Sequence, residues 1–133
     1  MATILIIDDD HQIRALLRKI LENAGYDVIE ARNGREGLQL FRQTPPALVI
    51  TDLLMPDHDG LEVIMAVRRT APTVRIIAFS GGEGSLDCLA PAQLLGAHRT
   101  MRKPISMAEL LQAVREELQR GSLPNGRGPQ EAG

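Results

Sequence analysis

The chain has 133 residues, 44% of them hydrophobic and 24% charged, which fits one compact domain with a single core. Fifteen basic against seventeen acidic residues leave a net charge of −2, so there is no broad basic field for nucleic acid or an anionic membrane surface. A lone cysteine, Cys88, excludes an internal disulfide and a thiolate metal cage, and no stretch approaches the roughly 20 apolar residues of a membrane span.

Met1 runs directly into an apolar segment without a basic leader, so no export signal is expected and the natural setting is the reducing cytoplasm. The only aromatic residues are Tyr26, Phe41 and Phe79, too few for a base-stacking platform, and direct nucleic-acid contact is not expected. Lysine is rarer still. Lys19 and Lys103 are the full set, which gives weight to wherever they fall.

Short apolar runs alternate with amphipathic segments along the chain. Thr3 to Ile7 is a β-branched run of strand length, with the continuous apolarity of a strand buried on both faces. A helix follows, with Ile13, Leu16, Leu17, Ile20 and Leu21 at three- and four-residue steps and Gly25 placed to stop it. Tyr26 to Glu30 reads as a second strand. Asn33 with Glu36 opens a short helix carrying Leu38 and Phe41, which Pro45-Pro46 ends. Ala47 to Thr51 is a third buried strand, with Asp52 at its end and a loop running to Gly60.

The next helix carries Leu61, Ile64, Met65 and Val67 and stops before Pro72; Val74 to Phe79 is a fourth strand. A glycine-rich loop, Ser80 to Gly84, leads to a helix over Leu86 to Leu95 that Pro91 must delay or kink. Arg99 to Arg102 is a short fifth strand. Ser106 with Glu109 opens a last helix lined by Met107, Leu110, Leu111, Val114 and Leu118. A domain over 1–120 is therefore expected, with 121–133, rich in Gly and Pro, as a flexible tail or linker stub.

Five strand–helix units imply a parallel sheet covered by helices on both faces. In such sheets ligands sit beyond the carboxyl ends of the strands, where strand order reverses. The residues that follow the strands are Asp8, Asp9 and Asp10, then Asp52, Ser80 and Lys103. Taken singly each has an ordinary explanation: Asp10 as a helix cap, an Asp or Ser in a turn, a lysine in solvent. Together they place carboxylates at one edge that repel one another unless a cation intervenes. A hard divalent cation such as Mg²⁺ meets that need, and it neutralises charge on a transferring phosphoryl group. An aspartate is a competent nucleophile for such a group, and Ser80 and Lys103 are suited to bind its oxygens.

Ile-Leu-Ile-Ile-Asp-Asp-Asp (4–10), Thr-Asp-Leu-Leu-Met-Pro-Asp-His-Asp-Gly (51–60), Ser80-Gly81 and Lys103-Pro104 resemble the signature of response-regulator receiver domains, over about residues 3 to 119. The resemblance is to a chemotaxis-type single-domain receiver of two-component signalling. It implies a flavodoxin-like, doubly wound, five-stranded parallel sheet of order 2-1-3-4-5 with five helices. It further implies that Asp52 is the phosphoacceptor, Asp9 the direct Mg²⁺ ligand, Asp8 an acidic partner acting through water, and the Leu54 carbonyl a further ligand. Ser80 matches the switch hydroxyl and Lys103 the phosphate-pairing lysine, with the Lys103-Pro104 bond cis and Gly60 at a turn of positive φ. The implied donor is a sensor histidine kinase or a histidine phosphotransfer protein, and the output an unspecified protein contact. The chain would accept phosphate without being a turnover enzyme.

The pattern has departures. Receivers usually carry an aromatic three positions before the lysine; here that residue is Thr100, so a different output face is expected. Leu54 and Gly82 stand at the positions that steer water to the acyl phosphate, and neither side chain can orient one, so slow self-dephosphorylation is expected. Two competing functions remain. One is a phosphatase of the haloacid-dehalogenase type with Asp8 as nucleophile, although His11 is wrong for its motif and the chain has no room for a cap. The other is an interaction module that keeps the fold without phosphorylation. A flavin-binding role is disfavoured, because the first loop offers carboxylates where a phosphate cradle needs Gly, Ser or Thr.

Overall fold

The computed structural model describes residues 2–53, 60–80 and 96–122. Five strands, β1 (Thr3–Ile7), β2 (Asp27–Ala31), β3 (Leu48–Asp52), β4 (Arg75–Ser80) and β5 (Arg99–Arg102), form one parallel sheet in the order β2-β1-β3-β4-β5. This is the flavodoxin-like order expected. Four helices lie among the described residues: α1 (His11–Asn23), α2 (Gly34–Gln43), α3 (Gly60–Thr70) and α4 (Met107–Ser122). The helix expected over 86–95, the loop after Ser80, Leu54 and Gly82 fall outside them, as does the chain beyond Ser122.

The central strands bury alternate residues against opposite layers, the reason their sequences are apolar throughout. Leu5, Ile7, Val49, Ile76 and Ala78 pack with Phe41 of α2 and with Val63, Ile64 and Val67 of α3. Ile4, Ile6, Leu48, Ile50, Ile77 and Phe79 face the other way, against Leu17, Ile20 and Leu21 of α1 and Leu110, Ala113 and Val114 of α4. Among the described residues no helix is long and apolar enough to cross a membrane.

Local chemistry sets the helix ends. Asp10 caps α1, its carboxylate accepting from the Gln12 and Ile13 amides. At the other end Gly25 adopts φ 99°, and the Gly25 and Tyr26 amides close on the Glu22 and Leu21 carbonyls at 3.0 and 3.1 Å. Asn33 caps α2 through the Glu36 amide, and Ser106 caps α4 through the Glu109 amide. The Lys103-Pro104 peptide is cis, as the resemblance implies.

Two residues outside the site carry measurable consequences. His98 enters β5 with its Nδ1 accepting from the Ile76 amide at 3.0 Å, a bond that needs a neutral ring. Burial, reinforced by the charges of Arg75 and Arg68, pushes this imidazole down to about 4 from 6.5. The unfolded chain takes up the proton first, so stability is full above about pH 6.5 and declines as pH falls toward 4. His98→Asn keeps an acceptor and removes the titration. Urea unfolding from pH 7 to 4.5 should show the unsubstituted protein losing about 1–2 kcal/mol more than the variant, the figure being reduced for the ring's partial exposure.

Gly60 is the other. It opens α3, and the constraint visible there is a close approach. A Cβ would press on the Asp52 carbonyl oxygen and lie 2.6 Å from Leu53 Cα, both backbone atoms unable to swing aside. Gly60→Ala should cost about 1–3 kcal/mol in urea unfolding, because the clash falls on the strand end that carries Asp52.

Candidate functional site

The ladder of the sheet extends one residue past several strand ends, which fixes what lies there. The Asp8 amide donates to the Ala31 carbonyl (3.1 Å), the Leu53 amide to Phe79 (2.9 Å) and the Lys103 amide to Ser80 (2.9 Å). Ile7 pairs with Thr51 in register, so Asp8 and Asp52 emerge side by side from β1 and β3. The chain turns to opposite sides of the sheet at these two strands. They form the crevice at which an open α/β sheet binds ligands.

Asp8, Asp52 and Ser80 are 3%, 5% and 2% exposed, while Asp9 is exposed at the rim. One carboxylate oxygen from each of Asp8, Asp9 and Asp52 can be chosen so that all lie within 4.8 Å of one another. Lys103 reaches in from the end of β5, its Nζ 3.2 Å from Asp8 Oδ2 and 3.5 Å from Asp52 Oδ1. Asp8 Oδ1 accepts from the Asp10 amide at 2.9 Å. Asp10 itself turns away to cap α1, so the triple aspartate divides into two residues at the cluster and one helix cap.

The electrostatics follow from this arrangement. Burial pushes the Asp8 carboxyl above the usual carboxylate range, more than the Asp10 amide and Lys103 pull it down; neighbouring Asp9 adds to the rise. Burial pulls Lys103 down, but Asp52 and Asp8 outweigh it, so its ammonium is held more tightly than in water. Among the described residues, three carboxylates against one ammonium leave an excess of negative charge at this edge. The donors are all hard oxygens lying within 4.8 Å of one another, so the residues present fit a divalent cation.

Of the residues singled out in the sequence, Asp8, Asp9, Asp52 and Lys103 are brought together, and Ser80 ends the adjacent strand, paired in register with Arg102. Leu54, whose carbonyl was expected to complete the ligand set, lies outside the described residues. Thr100, in the position normally aromatic, is only partly buried. With Arg99, Met101, Arg102, Glu109 and Gln112 it lines an open groove of about 450 Å³ between β5 and α4. Sequence reasoning missed two charged groups near this region. Arg14 of α1 donates to the Asp8 carbonyl, and Glu117 of α4 sits fully buried among arginines. Glu117 carried one readable signal: it continues the Leu110, Val114 stripe at helical spacing, where an apolar residue belongs.

Comparison with known proteins agrees with this geometry. The family model described as response regulator receiver domain matches residues 4–115. The chain is 32% identical over 115 residues to sporulation initiation phosphotransferase F of Bacillus subtilis, covering 86% of this chain and 92% of that protein. It is 35% identical over 125 residues to response regulator MprA of Mycolicibacterium vanbaalenii, covering 94% of this chain and 54% of that protein. The chain thus spans about half the length of MprA and of several other curated relatives it matches. Among solved structures, a CheY-like receiver domain protein from Methanospirillum hungatei superposes with a TM-score of 0.86 at 30% identity, covering 91% of this chain and 96% of that one. A receiver domain protein from Clostridium thermocellum gives 0.85 at 31% identity, covering 90% and 96%. Sheet order, acidic crevice and sequence agree: the chain belongs to the response regulator receiver domains of two-component signalling.

Proposed function

We propose that this chain accepts a phosphoryl group on Asp52, from the phosphohistidine of a sensor histidine kinase or a histidine phosphotransfer protein, in a Mg²⁺-dependent reaction. The observation that carries the reading is the convergence of Asp8, Asp9 and Asp52 within 4.8 Å, with Lys103 Nζ 3.5 Å from Asp52. Asp8, Asp9 and Asp52 would hold the cation, with the Leu54 carbonyl as a further ligand by resemblance. When bound, it neutralises charge on the phosphoryl oxygens.

The chain's own groups do the rest. A carboxylate oxygen of Asp52 attacks phosphorus in line as the phosphorus–nitrogen bond to the donor imidazole breaks, its electron pair returning to that nitrogen. Lys103 is already drawn toward Asp52 and exchanges part of that pairing for a phosphoryl oxygen. Ser80 ends the adjacent strand β4, and its hydroxyl is a group suited to bind a second oxygen. The output is a protein contact, in the cytoplasm, with no direct nucleic-acid or membrane binding by this domain. The role is that of a phosphoryl acceptor and not of a turnover enzyme.

The test uses the purified chain with acetyl phosphate or a phosphorylated kinase. An acyl phosphate should form with Mg²⁺ present and be absent after chelation. Equal labelling in excess EDTA would sink the reading.

A further inference from the structure

Arg14 stands one turn into α1, the wrong end of a helix for a cation, and no acidic residue in that first turn offsets it. Its compensation comes from elsewhere. Helical side chains lean toward the N-terminus, and this one reaches back to the β1–α1 turn, where Nη1 donates to the Asp8 carbonyl at 2.8 Å. Its Nε donates to Glu30 Oε1 on β2 at 3.2 Å, and Arg18 holds the other Glu30 oxygen at 2.6 Å. Burial raises the Glu30 carboxyl, but the bonds from Arg18 and Arg14 bring it below its usual range, so the anchor is ionised. The side chains of Arg14 and Glu30 are 13% and 23% exposed. The pair is packed, not a loose surface contact.

Asp8 is thereby held at every polar atom. Its amide is bonded to Ala31, Oδ1 to the Asp10 amide and Oδ2 to Lys103. The carbonyl is bonded to Arg14. Ala31 and Glu30 are neighbours on β2, so the main-chain bond and the arginine fork together tie Asp8 to one strand from two directions. The orientation of the Asp8 carboxylate, and of Asp9 beside it, depends on that tie.

We infer that Arg14, anchored by Glu30, is a positioning residue for the acidic cluster, setting its affinity for Mg²⁺ without touching the ion. The inference rests on the cation-dependent reading proposed above. Its sign distinguishes it from simple electrostatics. Removing a positive charge near a cation site tightens binding if the effect acts only through space. Removing a group that orients the ligands weakens it, by about tenfold where such outer partners have been replaced.

The test is calorimetric titration of the full chain with MgCl₂ alone, for the unsubstituted protein, Arg14→Gln, Arg14→Lys and Asp9→Asn. Urea unfolding of each variant sets a temperature at which all are folded. Arg14→Gln is expected to weaken Mg²⁺ binding about tenfold. Arg14→Lys, which keeps the charge but cannot bridge Asp8 and Glu30 with one planar fork, should weaken it comparably. Unchanged or tighter binding by Arg14→Gln, or full affinity in Arg14→Lys, overturns the inference while leaving the proposed function standing. If the unsubstituted protein shows no Mg²⁺ binding that Asp9→Asn removes, the phosphoacceptor reading fails, and this inference with it.

Discussion

Asp52→Asn should reduce phosphoryl incorporation by roughly three orders of magnitude or more, as its proposed role of nucleophile requires. The fold should survive the change. Asp52 ends β3, where its backbone pairs with Phe79, and an amide of the same shape keeps that place. It also relieves repulsion, because among the described residues three carboxylates face a single ammonium at this edge. Labelling with radioactive acetyl phosphate, read beside a urea unfolding curve, checks both halves. Residual labelling within tenfold of the unsubstituted protein would place the nucleophile elsewhere.

The second large effect is on stability. Glu117 of α4 has no exposed surface, and its two oxygens collect three guanidinium groups. Arg75 of β4 donates to Oε1 at 2.9 and 3.2 Å; Arg99 of β5 and Arg120 donate to Oε2 at 3.1 and 2.8 Å. Burial raises this carboxyl, but the bonds from Arg75 and Arg99 outweigh it and hold the group below its usual range. Glu117 therefore contributes stability that is present at neutral pH and lost only in acid, below the ordinary glutamate range.

Removing one partner of a buried ion pair costs about 3–5 kcal/mol, but these arginines are partly exposed and recover water, so Glu117→Ala should cost about 2–3 kcal/mol. Urea unfolding at pH 7 measures it. A loss under about 0.5 kcal/mol, the range of an ordinary exposed pair, would show that the clamp does not hold β4 and β5 to α4.

What could be read from the sequence depended on whether a residue's partner was near in the chain or across the fold. Strands β1, β3 and β4 declared themselves by unbroken apolarity, since helices cover both of their faces. Their ends shifted by a residue. The second strand was expected over Tyr26–Glu30 and runs Asp27–Ala31, and the third over Ala47–Thr51 and runs Leu48–Asp52. Those limits are set by pairing with β1, Thr3 with Asp27 and Ile4 with Leu48, which no local pattern reveals.

The site residues were legible because the fold places strand ends together whatever lies between them. Asp8, Asp52 and Lys103 needed only their positions after strands. Asp10 took the helix-cap role that its place before α1 suggested. The Arg14–Glu30 pairing and the arginine partners of Glu117 were not legible, since each joins residues 16 to 42 positions apart through geometry alone. Gly60 was expected at a turn of positive φ, but it opens α3 without one; the constraint on it is contact with the backbone of Asp52 and Leu53.

Thr100 limits what can be transferred from relatives to the output. With a threonine facing an open groove beside β5, an aromatic side chain at this position is not the reporter of the phosphorylated state. Under the proposed function Ser80, which pairs in register with Arg102 of β5, is a described residue that would link a phosphoryl group to this face.

The proposed function turns on which carboxylate carries the phosphoryl group. Asp8 and Asp52 lie side by side, and an Asp8 nucleophile is the one chemistry that would recast the domain as a phosphatase. Asp8 has both oxygens engaged, by the Asp10 amide and by Lys103, and Lys103 also pairs with Asp52. The deciding measurement is peptide mass spectrometry of the acetyl-phosphate-treated chain after borohydride reduction of the acyl phosphate. Reduction at Asp52 alone is the predicted result; reduction at Asp8 or Asp9 with Asp52 intact would contradict it.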